Sequence, residues 1–415
     1  MAQSISPKFE NIVEKAIDAI SDELHEISLK IHDNPELSLD ENFAHKILTD
    51  YLETKGFIVK RHAYGLKTAF RAEFENTTDQ NIDDEVKKGR TISFNSEYDA
   101  LPGIGHACGH NLIAISGVGA AYGVKCAIET LKIPGKVVLF GTPAEEKYSG
   151  KAVMISAGAY KDVDICMMVH PAWADTVEPV YLAIRRAEVE YFGKASHAAA
   201  SPWEGINALD AAVQAYNALS MLRQQIQPFN RIHGIITNGG KAANIIPDYA
   251  SLSFYIRSTK KENLAPLQEK VNSCFVAAAE ATGCKYKINW TSEILDVLQN
   301  HHLRNRFEEY MSERGVKYIP NVVDLTGSTD MGNVSYVVPA IHALYNIGKE
   351  NTPKFHTIEF EKLAKSSTAH ARTMQATKCL ALTALDVLTD DQLFREVRKD
   401  FEDCVGKDDN VKSKI

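Results

Sequence analysis

Residues 96–111 of the chain read SEYDALPGIGHACGHN, a short run in which metal-binding side chains alternate with glycine and proline. The run holds three nitrogen- or sulfur-type ligands, His106, Cys108 and His110, and two carboxylates, Glu97 and Asp99. Its glycines let the backbone turn tightly and approach a bound ion closely. We therefore interpret this stretch as a loop that gathers side chains around a polar centre.

Apolar strands followed by metal-capable side chains recur three times in the first half of the chain. They are Thr91–Phe94 before the loop just described, Lys136–Phe140 before Glu145 and Glu146, and Asp164–Val169 before His170. Helical segments separate them, and such alternation predicts a parallel or mixed sheet with helices on both faces. Ligands of such sheets bind at the carboxyl ends of the strands. The side chains that follow the three strands are therefore predicted to meet at one edge.

A different pattern begins after Leu182. Strands at 187–192, 232–237, 251–257 and 284–290 and helices at 207–222 and 262–282 give the order β-α-β-β-α-β, which is typical of ferredoxin-like α+β domains. We predict an inserted domain at residues 186–296. The α/β catalytic domain would then be formed by residues 1–185 and 297–415.

Two further helices are predicted at the ends of the chain. Apolar residues spaced by three and four predict an amphipathic helix from Val13 to Ile31. Near the other end, His356 precedes an alanine-rich segment that predicts one long helix from Ile358 to Leu388.

Composition and charge restrict the function classes. The 415 residues are 45% hydrophobic and 24% charged, as in ordinary globular proteins, and the net charge of -8 argues against nucleic-acid binding. We expect no membrane partner, because no apolar run looks long enough to span a bilayer, and no secretory signal. Seven scattered cysteines indicate reduced thiols and a cytoplasmic location. The terminal Ser413-Lys-Ile415 is one residue away from the peroxisomal Ser-Lys-Leu address, which keeps that location as a weaker alternative.

The candidate metal ligands share a position at or near strand ends, and they are Cys108, His110, Glu145, Glu146, His170 and His356. Thiolate, imidazole and carboxylate together suit zinc, manganese, cobalt or nickel better than calcium or magnesium. Even without one glutamate the set is too large for a single tetrahedral zinc with an open position, so it predicts two ions that share ligands. In the doublet, one carboxylate can bind metal while its neighbour acts as general base on an activated water.

Six motifs together resemble the M20 metallopeptidase family, in its amidohydrolase branch, over residues Ile31 to Ala369. They are HDNPEL (32–37), EYDALPG (97–103), GHACGHNL (105–112), GTPAEE (141–146), GGKAANIIPD (239–248) and GSTDMGNVS (327–335). The resemblance implies a metal-dependent hydrolase of a dipeptide or N-acyl amino acid that carries a free carboxylate. It also implies a homodimer formed through the inserted domain, which would act as a lid.

The resemblance further implies a role for each matching residue. Two divalent ions, Zn²⁺ or Mn²⁺, would be held by Cys108, His110, Glu146, His170 and His356. Glu145 would be the general base, and Asp99 would orient a ligand. His197 would reach the partner subunit's active site and stabilise the oxyanion, while Asn244 and Arg257 would bind the substrate carboxylate.

Three alternatives remain open from the residues alone. Cys108 and His110 form a possible nucleophile and base of a cysteine hydrolase, although this leaves Glu146, His170 and His356 unexplained. The chain is also compatible with a non-catalytic subunit of a hydrolase complex. Finally, the same residues are compatible with a site that catalyses deacylation of a natural product or amide formation on it.

Overall fold

The computed structural model describes residues 7–76, 89–318, 326–349 and 351–406. The tripeptide Ser413-Lys-Ile415, on which the peroxisomal alternative depends, lies outside these residues. The chain divides into two compact units. Unit 1 comprises Met1–Pro179, Val297–Leu325 and Asn333–Ile415, and unit 2 comprises Val180–Asp296 and Thr326–Gly332.

Helices and strands alternate through much of the described chain. The helices are α1 (Pro7–Ala19), α2 (Ser21–Asp33), α3 (Asn42–Thr54), α4 (His110–Leu131), α5 (Glu145–Tyr148), α6 (Gly150–Ser156), α7 (Ala208–Leu222), α8 (Leu264–Thr282), α9 (His301–Glu313), α10 (Met331–Ser335), α11 (Ile358–Ala364), α12 (Ser367–Thr389) and α13 (Asp391–Val405). The strands are β1 (Ile58–Arg61), β2 (Phe70–Asn76), β3 (Arg90–Ser96), β4 (Gly135–Gly141), β5 (Ile165–Ala172), β6 (Val180–Tyr181), β7 (Ala183–Phe192), β8 (Arg231–Asn238), β9 (Tyr249–Ser258), β10 (Lys285–Trp290), β11 (Thr326–Gly327) and β12 (Ala340–Asn346).

Unit 1 is built on a six-stranded sheet with the order β1-β2-β4-β3-β5-β12. Strands β4, β3, β5 and β12 run parallel to one another, whereas β2 runs antiparallel to both of its neighbours, β1 and β4. This confirms the predicted mixed α/β fold. Ser96 at the end of β3 pairs with Gly141 at the end of β4, so the polar residues that follow both strands leave the same edge.

Helix α4 is the central helix of unit 1 and is buried along nearly its whole length. It packs against β3, β4, β5 and α12. The expectation that no apolar run is long enough to span a bilayer is corrected here. Among the described residues, α4 alone has the length and composition to cross a membrane, but 89% of its most apolar window is buried inside the protein, as in a core helix.

Both terminal helices predicted as continuous are interrupted. The helix expected from Val13 to Ile31 is split between α1 and α2 around Ile20, although the buried residues of both belong to one core. The helix expected from Ile358 to Leu388 is split between α11 and α12 by a new N-cap. There the Ser366 hydroxyl accepts the backbone N–H of Ala369 at 3.1 Å, which satisfies a donor that a helix N-terminus leaves open.

Unit 2 contains a four-stranded antiparallel sheet in the order β10-β7-β9-β8. Its elements follow the chain order β7-α7-β8-β9-α8-β10. The helices α7 and α8 pack on each other and on the sheet, and they form a separate hydrophobic core. The short pair β6 and β11 adds residues 326–327 from far along the chain to this unit.

Candidate metal centre

The carboxyl edge of the unit 1 sheet carries polar residues of the candidate site on four segments. Glu97 and Asp99 follow β3, and His110 is the first residue of α4. Glu145 and Glu146 open the one-turn helix α5 just after β4. His170, which was expected after its strand, lies within β5 near its end.

Backbone hydrogen bonds hold these segments together. The Thr142 N–H donates to the carbonyl of Ser96 at 2.8 Å, which ties the exit of β4 to that of β3. The His356 N–H donates to the carbonyl of Ala107 at 3.0 Å, which brings a residue from far along the chain beside the Cys108 loop. His356 has a φ of 60°, a left-handed conformation that non-glycine residues seldom adopt and that often marks functional sites.

Gly109, between the two ligands Cys108 and His110, is required by its backbone and by its surroundings. Its φ is +80°, and a Cβ atom there would lie 2.6 Å from Cγ of Pro171. Any side chain would push the ligand loop away from β5. The glycine therefore allows the loop to approach His170 closely.

Three groups of side chains lie within metal-binding range of one another, and the groups share members. They are Cys108 with His110 and His170, Cys108 with Glu146 and His356, and His110 with Glu145 and Glu146. Within each group the potential ligand atoms lie within 4.8 Å of one another. In the first group, Sγ of Cys108 is 3.6 Å from Nε2 of His170. Overlapping groups of this kind can hold two ions that share ligands.

The hydrogen bonds of the two imidazoles fit a metal centre. Nδ1 of His170 lies 2.7 Å from the carbonyl oxygen of Pro171, and Nδ1 of His110 lies 3.2 Å from Oδ1 of Asp99. Each contact occupies Nδ1 and thereby directs Nε2 of the ring toward the centre. Metal-bound histidines commonly have such an acceptor on the nitrogen that does not bind the metal. Nε2 of His110 and Oε1 of Glu146 are buried, 3.8 Å apart, and make no hydrogen bond with the described residues. Buried polar atoms rarely lack a hydrogen-bond partner, and a cation between these two atoms would satisfy both.

Asp99 connects several parts of the centre. Besides His110, it accepts the backbone N–H of Glu146 at 3.0 Å and the hydroxyl of Ser38 at 2.8 Å, both at Oδ2. Burial would raise the pKa of Asp99, but the hydrogen bond and charge of His110, with these two donors, lower the pKa to about 2. The carboxylate is therefore ionised at neutral pH.

The pKa values of His170 and Cys108 bear on the cysteine-hydrolase alternative. Desolvation, with the charge of His110, lowers the pKa of His170 to about 4, so its imidazole is neutral and available to a metal. Desolvation, with the charge of Glu146, raises the pKa of the Cys108 thiol. Catalytic cysteines need a depressed thiol pKa and an electropositive setting. The cysteine-hydrolase alternative is therefore not favoured.

The three remaining predicted residues lie in unit 2. The loop of His197 pairs with that of Asn244, because the Ala198 N–H donates to the carbonyl of Asn244 at 3.1 Å. Arg257 lies on β9, where its Nε donates to Nε2 of His233 at 3.2 Å and its Nη1 to the hydroxyl of Ser328 at 3.3 Å. His197 and Asn244 are exposed, and Arg257 is half-buried.

Two residues that support the centre escaped the sequence analysis. Glu41 is fully buried, and its Oε1 accepts the backbone N–H of Ala144 at 2.9 Å, directly before the glutamate doublet. This contact fixes Ala144 in a left-handed conformation, with φ 62°. Lys151 on α6 is also fully buried and pairs with Glu97. A sequence signal existed only for Glu41, which lies close to the HDNPEL motif.

The chain resembles known proteins over most of its length. The sequence pattern of Peptidase family M20/M25/M40 matches residues 88–381. The human Xaa-Arg dipeptidase is 43% identical over 399 residues, which cover 94% of this chain and 91% of that protein. One of the subunits of p-aminobenzoyl-glutamate hydrolase from Escherichia coli (strain K12) is 26% identical over 465 residues, 94% of each chain.

A solved structure also shares the fold. It belongs to a Bacillus subtilis protein described as a dinuclear metal binding peptidase from the M20 family. The TM-score is 0.66 and the sequence identity is 21%, and the similar region covers 89% of this chain and 99% of that chain. The alternatives of a non-catalytic subunit and of amide formation are not favoured by these comparisons. The chain belongs to peptidase family M20/M25/M40, and it is a metal-dependent hydrolase of peptide or related amide bonds.

Proposed function

We propose that the protein is a two-metal dipeptidase that cleaves the peptide bond before a C-terminal basic residue, with arginine preferred. The observation that carries the proposal is the overlap of the three ligand groups at the edge of the sheet. The basic specificity is inferred from the 43% identity with the human Xaa-Arg dipeptidase over nearly the whole chain.

The proposed ligands of the two ions are Cys108, His110, Glu146, His170 and His356. Zn²⁺ or Mn²⁺ suits this mixture of sulfur, nitrogen and oxygen, and the thiolate favours zinc. When bound, the ions would acidify a water molecule and polarise the scissile carbonyl.

Glu145 is the proposed general base. Its carboxylate lies within 4.8 Å of the ligand atoms of His110 and Glu146, so it borders the centre. In the proposed reaction Glu145 takes a proton from the attacking water and passes it to the leaving amine.

Asn244 and Arg257 are the proposed binding residues for the substrate's free carboxylate. Among the residues that the structure describes, no carboxylate lies within salt-bridge range of Arg257, although burial lowers its pKa. A half-buried guanidinium without an acidic partner is suited to bind an anionic ligand through two parallel hydrogen bonds.

His197 is the proposed oxyanion donor, offered to the partner subunit. Its Nδ1 accepts the backbone N–H groups of Ala199 at 3.2 Å and Ala200 at 3.1 Å, so a neutral ring carries its proton on Nε2 and can donate it. This role requires a homodimer. It predicts that an enforced monomer loses turnover although it binds a full complement of metal.

The inserted domain at 186–296 is the proposed ferredoxin-like lid and dimerisation domain. The β-α-β-β-α-β order and the sheet order of unit 2 support that description. The edge strand β8 exposes 63% of Ile235, and helix α7 of the same domain exposes 71% of Met221. An exposed apolar edge strand is suited to pair with a second copy. Because no disulfide joins the seven cysteines, all of which lie in the described ranges, we also propose a cytoplasmic location.

The test combines metal content with turnover. Purified protein would be analysed for bound metal and assayed on dipeptides ending in arginine, lysine, glutamate or phenylalanine, and on N-acyl amino acids, with and without chelator. We expect about two ions per chain and chelator-sensitive release of arginine in preference to glutamate or phenylalanine. A chelator-resistant activity would refute the metal mechanism, and equal rates on all dipeptides would refute the basic specificity.

A further inference from the structure

A buried ion pair next to the metal centre has no part in the mechanism above. Glu97 and Lys151 are 1% and 0% exposed, and Nζ of Lys151 donates to Oε1 of Glu97. Taking two charges out of water costs more than their attraction usually returns, so stability alone is a weak explanation for such a pair.

The position of the second Glu97 oxygen suggests a different role. Oε2 of Glu97 lies 3.6 Å from Nε2 of His110, closer than Oε1 of Glu146 at 3.8 Å. That nitrogen is the one directed toward the centre, because Nδ1 of His110 contacts Asp99. Two ligand atoms of one tetrahedral zinc lie roughly 3.4 Å apart when the bonds are about 2.1 Å long. Glu97 therefore approaches His110 at a distance typical of two groups around one ion.

We propose that Glu97 is a further carboxylate of the metal centre, which strengthens binding of the ion at His110, and that Lys151 balances its charge. The inference rests on the two-metal function proposed above. It adds a sixth metal-facing residue to the five proposed ligands. Lys151 occupies Oε1, which leaves Oε2 toward the ion, and its charge offsets that of Glu97 when the ion is absent.

The test compares three variants with a matched control. Glu97→Gln removes the carboxylate charge, Lys151→Met removes the opposing charge at similar volume, and the double variant removes both charges of the pair. The control is Lys125→Met, because Lys125 is a buried lysine paired with Glu129 at 3.1 Å on the same helix as His110. It lies about 22 Å along that helix from the centre.

Two quantities distinguish a metal-facing carboxylate from a structural ion pair. One is the affinity for Zn²⁺ and Mn²⁺, measured by competition with a chromophoric chelator, and the other is the shift in melting temperature when zinc is added to metal-free protein. We expect Glu97→Gln and the double variant to lose about 10- to 100-fold in affinity for one ion and to show a smaller shift. Lys151→Met should bind at least as tightly as the wild type and show a larger shift, because it leaves the carboxylate charge unbalanced.

Either of two results would overturn the inference. One is an affinity of Glu97→Gln within twofold of the wild type. The other is an equal loss in Lys151→Met and Glu97→Gln, which would mean that the pair only supports the fold. Wild-type protein that binds no metal would instead refute the two-metal function itself, so the two failures are distinguishable. The double variant keeps the test valid if Glu97→Gln does not fold.

Discussion

Asp99 holds His110 through a buried contact of 3.2 Å between Oδ1 and Nδ1, while its other oxygen accepts the backbone N–H of Glu146 at 3.0 Å. One carboxylate thus positions two proposed ligands, the first through its ring and the second through its backbone. An amide cannot replace it, because an amide has one accepting oxygen and its NH₂ group would face a donor.

We therefore expect Asp99→Asn to lower metal affinity by about 10- to 100-fold, the range for losing a residue that orients a metal ligand. Titration of the metal-free variant with zinc would measure the loss. Ser38→Ala is the control, since it removes a single hydrogen bond from the same carboxylate, and it should change the affinity only slightly. A variant that binds both ions as tightly as the wild type would disprove this role of Asp99.

Glu145→Gln should separate metal binding from catalysis. The substitution removes the proposed base and leaves the five proposed ligands in place. We expect metal content to stay at the wild-type level while turnover falls by about 10²- to 10⁴-fold. Elemental analysis and a steady-state assay on one preparation would measure both. Glu146→Gln is the matched control and should lose metal as well as turnover, whereas substantial turnover in Glu145→Gln would rule out Glu145 as the base.

The edge of the sheet could be predicted from the sequence because strand ends carry a local signal. Three apolar runs each end in side chains with metal chemistry, and parallel strands bring those ends together. The break at Ile20 had no such signal. The apolar spacing continues from α1 into α2, since both helices face one core, and no glycine or proline lies between them.

The supporting residues were harder to predict for a physical reason. Glu41 and Lys151 contact the centre only because distant segments pack together, and a glutamate or lysine in a sequence is usually on the surface. In contrast, the break before α12 had a signal, because Ser366 is a favourable N-cap. The continuous alanine-rich pattern obscured it.

Arg257 should determine the preference for a free substrate carboxylate. A lost charged hydrogen bond is worth about 1.5–3 kcal/mol, so Arg257→Met should raise KM for a dipeptide roughly 10- to 100-fold. The KM for the C-terminal amide of the same dipeptide should change little. The assay therefore compares the two substrates in parallel.

Arg186→Met is the matched control for that substitution. Arg186 packs over the same Tyr255 ring as Arg257, with 5.7 Å and 5.9 Å to the ring centroid, but it pairs with Glu188. We expect the control to leave both KM values unchanged. An equal effect of Arg257→Met on the dipeptide and on its amide would exclude recognition of the carboxylate.

We expect Asp386, on α12, to make the stability of the protein depend on pH. The side chain accepts the hydroxyl of Tyr310 at 2.8 Å and lies 3.1 Å from Nε of Arg306. Burial outweighs both partners and raises the pKa of Asp386 from 3.8 to about 6. The folded state therefore holds this proton more tightly than the unfolded chain. The contribution of protonated Asp386 to stability is fully present below pH 4 and is lost as the pH rises through 6.

We expect Asp386→Asn to remove that dependence, since an amide does not titrate. Between pH 5 and 7, the free energy of unfolding of the wild type should fall relative to the variant by about 1 kcal/mol. Urea unfolding of both metal-free proteins across this range would measure the difference, because constant effects of the substitution and all shared titrations cancel. A difference that stays flat, or that grows in favour of the wild type as the pH rises, would show that the pKa of Asp386 is not raised in the folded protein.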